Sequence, residues 1–285
     1  MATTREIRRR IRSVQSTAKI TRAMEMVAAS RMRRAQERSV AARPYADKMR
    51  LVLSDLACQP QATDQPHPLM VQRPVNSIAV VHITSNRGLC GGLNANVNRT
   101  TMSFILEQEV PVSVVAVGRK GRDFMVRCGQ KLSAEFCDIG EPPQLDDVAA
   151  IADIVIDDYS SGAVDEVYLS YARFKTTLSQ QPVLWRLLPI EQRAYEPGVC
   201  VGYIYEPSPE LVLAFLLPRF IEMQLYHAVL EATASEHSAR MVAMRNATES
   251  ANDLVEDLTL SYNKARQDMI TRELLDITGG AAALE

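Results

Sequence analysis

Apolar and small residues recur in a 4-then-3 spacing from Thr4 to about Ala57, at Ile7, Ile11, Val14, Ala18, Ala28, Met32, Ala35, Ala42, Ala46, Met49, Leu53 and Leu56. Thr21, Glu25 and Ser39 interrupt this stripe without changing its phase. A stripe of this period held over about seven heptads predicts a coiled-coil helix rather than a globular one, and such a helix needs a partner helix. At 1.5 Å per residue it would be on the order of 80 Å long. Pro44 is expected to bend it and not to end it, because the pattern resumes at Ala46.

The pattern changes between Gln59 and Pro74, where Gln and Pro replace apolar residues and a loop is predicted. Beyond it, strands are predicted at Ser77–Ile83, Val112–Val117, Leu132–Phe136, Glu166–Tyr171, Val183–Leu188 and Val199–Tyr205. Helices are predicted after Gly92, from about Arg119 to Cys128, and from Leu145 to Tyr159. Strand and helix in alternation imply a parallel sheet wound on both faces, with the last two strands added as a hairpin. At Ser208-Pro209-Glu210 a capping Ser, a Pro suited to the first turn and an acid at the positive helix end open another helix. It is expected to reach about Ile277, to kink at Pro218 and to stop at Gly279-Gly280. Its stripe is read as Leu225, Ala228, Ala232, Ala239, Val242, Leu254, Leu258, Ala265 and Met269. Two long helices at opposite ends of one chain, each with a seam to bury, most simply pair with each other antiparallel. The expected segments are 1–58, 75–206 and 208–285.

Charge sharpens this picture. The net charge of −2 conceals an imbalance: the first 50 residues hold 14 Lys or Arg against four Asp or Glu, leaving 18 against 30 for the remainder. One end of the molecule is therefore strongly cationic. No run of 18 apolar residues occurs, and the N-terminus lacks the apolar core of a secretory signal, so the reading is of a mature chain in a cytoplasmic compartment. Cys58, Cys90, Cys128, Cys137 and Cys200 are scattered without metal-ligand spacing and read as free buried thiols.

Few residues suggest chemistry. The stretch Arg87 to Asn94 (RGLCGGLN) follows the first strand and opens a helix, where a nucleotide-binding fold places its phosphate loop. Cys90 stands where GxGxxG requires Gly and no GK[ST] follows, which favours a structural turn over nucleotide binding; Asp123 and Asp138 would be unremarkable ribose ligands. His67, His82, His227 and His237 have no partner at catalytic or metal spacing. Asp146-Asp147 and Asp157-Asp158 fall on a predicted helix and read as its solvated face. The Arg5, Arg8, Arg9, Arg10, Arg12 cluster, with Arg31, Arg33, Arg34 and Arg38, suits solvation, an anionic protein partner or phosphates; no aromatic residue precedes Tyr45 for base stacking.

The wording at the two ends is specific: IRSVQ from Ile11, ITRAMEMVAAS from Ile20, RPYA from Arg43, RGLCGGLN from Arg87, YEP from Tyr205, ARMVAMR from Ala239 and YNKARQ from Tyr262, with Ile270-Thr271 and Glu273-Leu274. Together these resemble the γ subunit of F-type ATP synthases from near Ile7 to Ala283. The resemblance implies a fold of the α/β class, with a long antiparallel coiled coil of N- and C-terminal helices plus a Rossmann-like α/β domain. It implies a rotor shaft with no catalytic, cofactor or metal site of its own. The coil would stand within a ring of α and β subunits while the α/β foot sits on the membrane c-ring beside the ε subunit. Met24 and Arg240 would lie at the neck, and Arg266, Gln267, Thr271 and Glu273 at the upper contacts with β. Tyr205 and Glu206 would belong to the foot that meets the c-ring and ε. A peripheral place on the cytoplasmic face of a bacterial membrane is implied, reached only through the c-ring and with no nucleic-acid partner. Two other function classes stay open on the residues alone: a nucleotide-binding α/β enzyme and a basic coiled-coil adaptor.

Overall fold

A computed structural model of the chain describes residues 4–58, 67–190, 206 and 208–282. The chain divides into two units, one of Met1–Ala28 with Arg240–Glu285 and the other of Ala29–Ala239.

Helix α1 spans Thr4–Cys58 and runs through Pro44. One lost hydrogen bond is a local cost that a long helix with a buried seam absorbs. The seam is as expected at each described position, since Ile7, Ile11, Val14, Ala18, Ala28, Met32, Ala35, Ala42, Met49 and Leu53 are buried or half-buried. So are the polar Thr21, Glu25 and Ser39. Helix α5 spans Pro209–Ala282, and the Ser208 hydroxyl caps it by accepting from the Leu211 N–H at 3.3 Å. It does not stop at Gly279-Gly280 but continues to Ala282. Glycine weakens a helix by about 1 kcal/mol against alanine and ends one only by turning left-handed; Ala281 and Ala282 are the best helix formers available.

In the first unit α1 and α5 pair. The Thr21 and Thr248 hydroxyls meet at 2.7 Å, and the Arg8 guanidinium lies 5.5 Å from the centre of the Tyr262 ring. Going from the first contact to the second, α1 descends 13 residues (21 − 8) while α5 climbs 14 (262 − 248), so the helices are antiparallel. The seam of α5 here is Met244, Thr248, Ala251, Val255, Leu258, Tyr262 and Ala265, all buried or half-buried. The expected stripe is thus corrected at two positions. Leu254 is 47% exposed because Val255 holds the phase, and Met269 is 42% exposed although in phase. The register explains Met269: paired numbers sum to 269 or 270, which sets Ala265 opposite residue 4 or 5, the first described turn of α1.

A threonine pair inside a seam is a testable polar contact. Thr248 Oγ1 also bonds the Met244 carbonyl at 2.8 Å, and Thr21 Oγ1 the Ala18 carbonyl at 3.1 Å. Thr21→Val alone is expected to cost about 1 kcal/mol for the lost bond across the seam, and Thr248→Val to cost less in that background than alone, because each hydroxyl keeps its own helix carbonyl and the shared bond is lost only once. Urea unfolding of the two single variants and the double variant measures the difference.

The second unit contains a five-stranded sheet in the order β3-β2-β1-β4-β5. Its strands are β1 (Ile78–Ile83), β2 (Val112–Val117), β3 (Lys131–Phe136), β4 (Glu166–Phe174) and β5 (Gln180–Leu188). The first four are mutually parallel, and β5 returns antiparallel on β4. β4 and β5 thus form a hairpin that the sequence reading does not single out; the strand expected at 199–205, and with it the expected hairpin, lies outside the described residues. Helices α2 (Leu93–Glu107), α3 (Arg119–Arg127) and α4 (Leu145–Ser160) connect the parallel strands.

Alternation along the strands divides the core. Ala79, Val81 and Ile83 of β1 and Val167, Leu169 and Tyr171 of β4 pack with Ile151 and Val155 of α4 and with Leu217, Ile221 and Leu225 of α5. On the other side Val114 of β2 packs with Ile105 of α2 and Met125 of α3. An 18-residue stretch of α5 reaches a mean hydropathy of 1.2, high enough by composition to suggest a membrane span, but 39% of it is buried within the protein. The fully buried Leu217, Ile221, Leu225 and Leu230 show that a core helix accounts for that hydropathy.

Candidate functional site

The residues singled out for contact with partners lie mainly in the paired-helix unit. Met24 on α1 and Arg240 on α5 are both half-buried. Under the register above, Met24 faces position 245 or 246, so Arg240 stands five or six residues further along, about one and a half turns. Arg266, Gln267, Thr271 and Glu273 are fully on the surface of α5, beyond the point where α1 begins. Every described side chain from Arg266 to Gly279 is exposed, and these include Met269, Ile270, Leu274, Leu275 and Ile277. This exposed apolar stretch has no signature in the sequence, because Ile and Leu near a helix end look like core until the register of the helix pair is known. Glu206 is exposed, and Tyr205 lies outside the described residues.

On α1, Arg5, Arg8, Arg9, Arg10, Arg12, Arg33, Arg34 and Arg38 are exposed and Arg31 is half-buried. The cationic end is thus a solvent-facing surface, able to attract an anionic partner without one fixed geometry because exposed ion pairs are individually weak.

The glycine loop is fastened by its own side chains. Ser85 Oγ donates to the Arg87 carbonyl at 2.6 Å and accepts from Asn94 Nδ2 at 2.7 Å, while the Ser85 N–H donates to Asn94 Oδ1 at 3.2 Å. Leu89 at φ 64 and Gly91 at φ 58 carry the chain through the left-handed region. Asn94 Nδ2 also approaches Cys90 Sγ at 3.3 Å, and Cys90 is buried. These groups are spent on the turn itself. Asp138 pairs with Arg119 at 2.8 Å and Asp123 with Arg122 at 2.9 Å. Asp147 is not merely solvated: its carboxylate accepts from the Gln144 N–H at 2.8 Å and caps α4. Cys128 is exposed and Cys137 half-buried, so burial of the thiols holds for Cys90 and not for these two.

Buried polar groups serve the frame. His82, fully buried on β1, donates from Nε2 to Asn98 Oδ1 at 2.8 Å and receives Thr101 Oγ1 at its Nδ1 at 3.0 Å, and Thr101 reaches Ser170 on β4 at 2.7 Å. Burial holds its pKa down at about 4, against a smaller upward pull from Asn98, so the ring is neutral. On the opposite side of the sheet the Tyr171 hydroxyl donates to Glu231 of α5 at 3.0 Å, and Arg173 approaches the same oxygen at 3.9 Å. Burial first, and then the Glu231 charge, push the tyrosine up to about 12. Neither cluster opens onto a nucleophile. Among the described residues no three His, Cys, Asp or Glu side chains converge as a metal would need.

Comparison with known proteins adds to this geometry. The family model described as ATP synthase matches residues 3–284. The ATP synthase gamma chain of Dehalococcoides mccartyi is 56% identical over 284 residues, covering 100% of both chains. That of Roseiflexus castenholzii is 54% identical over 288 residues, covering 100% of this chain and 99% of its own. Among solved structures, a chain of the central stalk and c-ring of the Tetrahymena thermophila mitochondrial ATP synthase superposes with a TM-score of 0.62 at 26% identity, covering 80% of this chain and 99% of its own. A chain of the Euglena gracilis mitochondrial ATP synthase gives 0.70 at 20% identity, covering 99% and 94%, and shows the same fold. A match over nearly the whole length at this level of identity, on a chain whose ends pair as two antiparallel helices, places it in the ATP synthase gamma chain family.

Proposed function

We infer that this chain, the rotor shaft of its ATP synthase, passes rotation between an ion-driven ring and the sites of ATP turnover while making and breaking no bonds itself. The observation that carries this reading is the exposed end of α5, where Met269, Ile270, Leu274, Leu275 and Ile277 are 42–68% exposed on one helix. An apolar surface of this kind marks a protein contact. Its proposed setting is the bore of a ring of α and β subunits, with Arg266, Gln267, Thr271 and Glu273 touching β and with Met24 and Arg240 at the neck below. The proposed segments are a coiled-coil helix at 1–58, a Rossmann-like foot at 75–206 and a second coiled-coil helix at 208–285. Tyr205 and Glu206 are assigned to the foot, facing the ε subunit and the c-ring. The relatives' structures, described as central stalk with c-ring and as F1 with c-ring, support those partners. The complex is membrane-associated, and the proposed side is the cytoplasmic face of a bacterial membrane.

A shaft that presents a different face to each of three like sites biases their open and closed states differently, which is coupling in the thermodynamic sense. Reconstituting α and β subunits with this chain is expected to change ATP turnover by about tenfold or more, within the range that couplings of a few kcal/mol produce. Turnover that is the same with and without the chain would reject the reading.

A further inference from the structure

One carboxylate joins the α/β fold to both long helices. Glu141 lies in the loop between β3 and α4 and divides its two oxygens. Oε2 meets the Arg31 guanidinium of α1, and Oε1 lies 3.2 Å from His237 Nε2 of α5. A carboxylate oxygen accepts, so Nε2 is the donor in this contact. The imidazole is 3% exposed, which fixes its aim, whereas Arg31 and Glu141 are 40% and 48% exposed.

The surroundings make this link more than one surface pair among many. A cavity of about 200 Å³ is lined by Ile139, Gly140 and Glu141 of the loop and by Val229, Ala232 and Thr233 of α5. Ile139, Val229 and Ala232 meet in the same apolar core, which has no direction of its own, and the carboxylate supplies a directional tie beside it. Arg31 and His237 are also close to the ends of their unit, which closes at Ala29 on α1 and at Ala239 on α5. The α/β fold also holds α5 through its core and at Ser238, whose hydroxyl donates to the Thr177 carbonyl at 2.7 Å; Glu141 adds a point at which α1 and α5 are tied to one loop together, close to where each leaves the unit.

We propose that Glu141 is a positioning residue for coupling: it clamps the α/β fold to α1 and α5 together, so that rotation of the fold is passed to both helices without slip. The proposal rests on the rotor-shaft reading and concerns where the shaft is gripped.

The test uses the assembled enzyme in membrane vesicles, with ATP hydrolysis and the membrane potential it builds measured on the same sample. A voltage-sensitive dye reads the potential whichever ion is moved. Glu141→Ala is expected to leave hydrolysis near the wild-type rate and to lower the potential built per ATP by about threefold, the factor by which losing a half-exposed ion pair shifts an equilibrium. Arg31→Gln, which removes a partner from another element, is expected to act in the same direction, and Arg31→Lys to restore the wild-type ratio. A wild-type ratio in Glu141→Ala overturns the proposal. So does a parallel fall of hydrolysis and potential, because a merely structural role lowers both together. Failure of the wild-type chain itself to couple the two would instead count against the rotor-shaft reading, so the two failures are distinguishable.

Discussion

Gly118→Ala is expected to lower the melting temperature of the purified chain by roughly 10 °C or more, or to prevent folding. Gly118 follows β2 at φ 98 and ψ 142, a conformation that L side chains rarely adopt. A methyl group there would lie 2.2 Å from the Thr84 carbonyl oxygen and 2.8 Å from its carbon. Neither side can retreat, because the Thr84 N–H is bonded to the Val117 carbonyl at 2.8 Å and the Gly118 N–H to the Phe136 carbonyl at 2.8 Å. Backbone strain and the forced shift together cost roughly 3–5 kcal/mol. For a chain of this size each kcal/mol moves the midpoint by about 2–4 °C. Gly129 is the internal control: its φ is 73, but a methyl group added there would have no atom within 4 Å, so Gly129→Ala should cost only about 1 kcal/mol. Circular dichroism melts of the two variants decide the matter, and equal midpoints would show that the Thr84 contact has been overvalued.

The second large effect is acid-sensitivity centred on His82. Its pKa of about 4 in the fold, against 6.5 in an open chain, means that between those values the unfolded state binds a proton the folded state refuses. Stability is then complete above pH 6.5 and falls as the pH drops toward 4. At about 1.4 kcal/mol per pH unit the loss is about 2 kcal/mol by pH 5. Burial lowers the pKa of His67 as well, so the informative quantity is the difference between the wild-type chain and His82→Gln, which keeps a polar group but cannot titrate. Urea unfolding at pH 7.5 and pH 5 should show the wild type losing about 2 kcal/mol more than the variant. Parallel losses would mean that the ring is protonated without harm, or that water reaches it.

The α1 seam is legible in the sequence at its described positions because its phase is carried by many residues, so that Thr21, Glu25 and Ser39 can be placed on it despite their polarity. On α5 the same reasoning slips. Leucine is the larger apolar residue of the pair Leu254-Val255 and draws the stripe to itself, whereas Thr248, Ala251 and Tyr262 keep a seam in which small size matters more than hydropathy. A stop at Gly279-Gly280 does not follow either, because a glycine pair permits a turn without compelling one. His82 is visible in sequence as a histidine inside an apolar strand. Its partners, however, lie 16, 19 and 88 residues away on two other elements, a convergence that no local spacing encodes. Glu141 is hidden in the same way, since its meaning comes from two helices 110 and 96 residues distant.

The antiparallel register also sets an order on biosynthesis. Residues before Ala29 pair with residues after Ala239, so the first part of the polypeptide to leave the ribosome waits for nearly the last. At about 5–20 residues per second that interval is on the order of ten to fifty seconds. During it the opening helix has no strand edge to offer a neighbour, its seam mixes Ile7, Ile11 and Val14 with Ala18, Thr21, Glu25 and Ala28, and its arginines repel other nascent copies. Like-charge repulsion in that segment thus keeps nascent copies apart until the closing helix arrives.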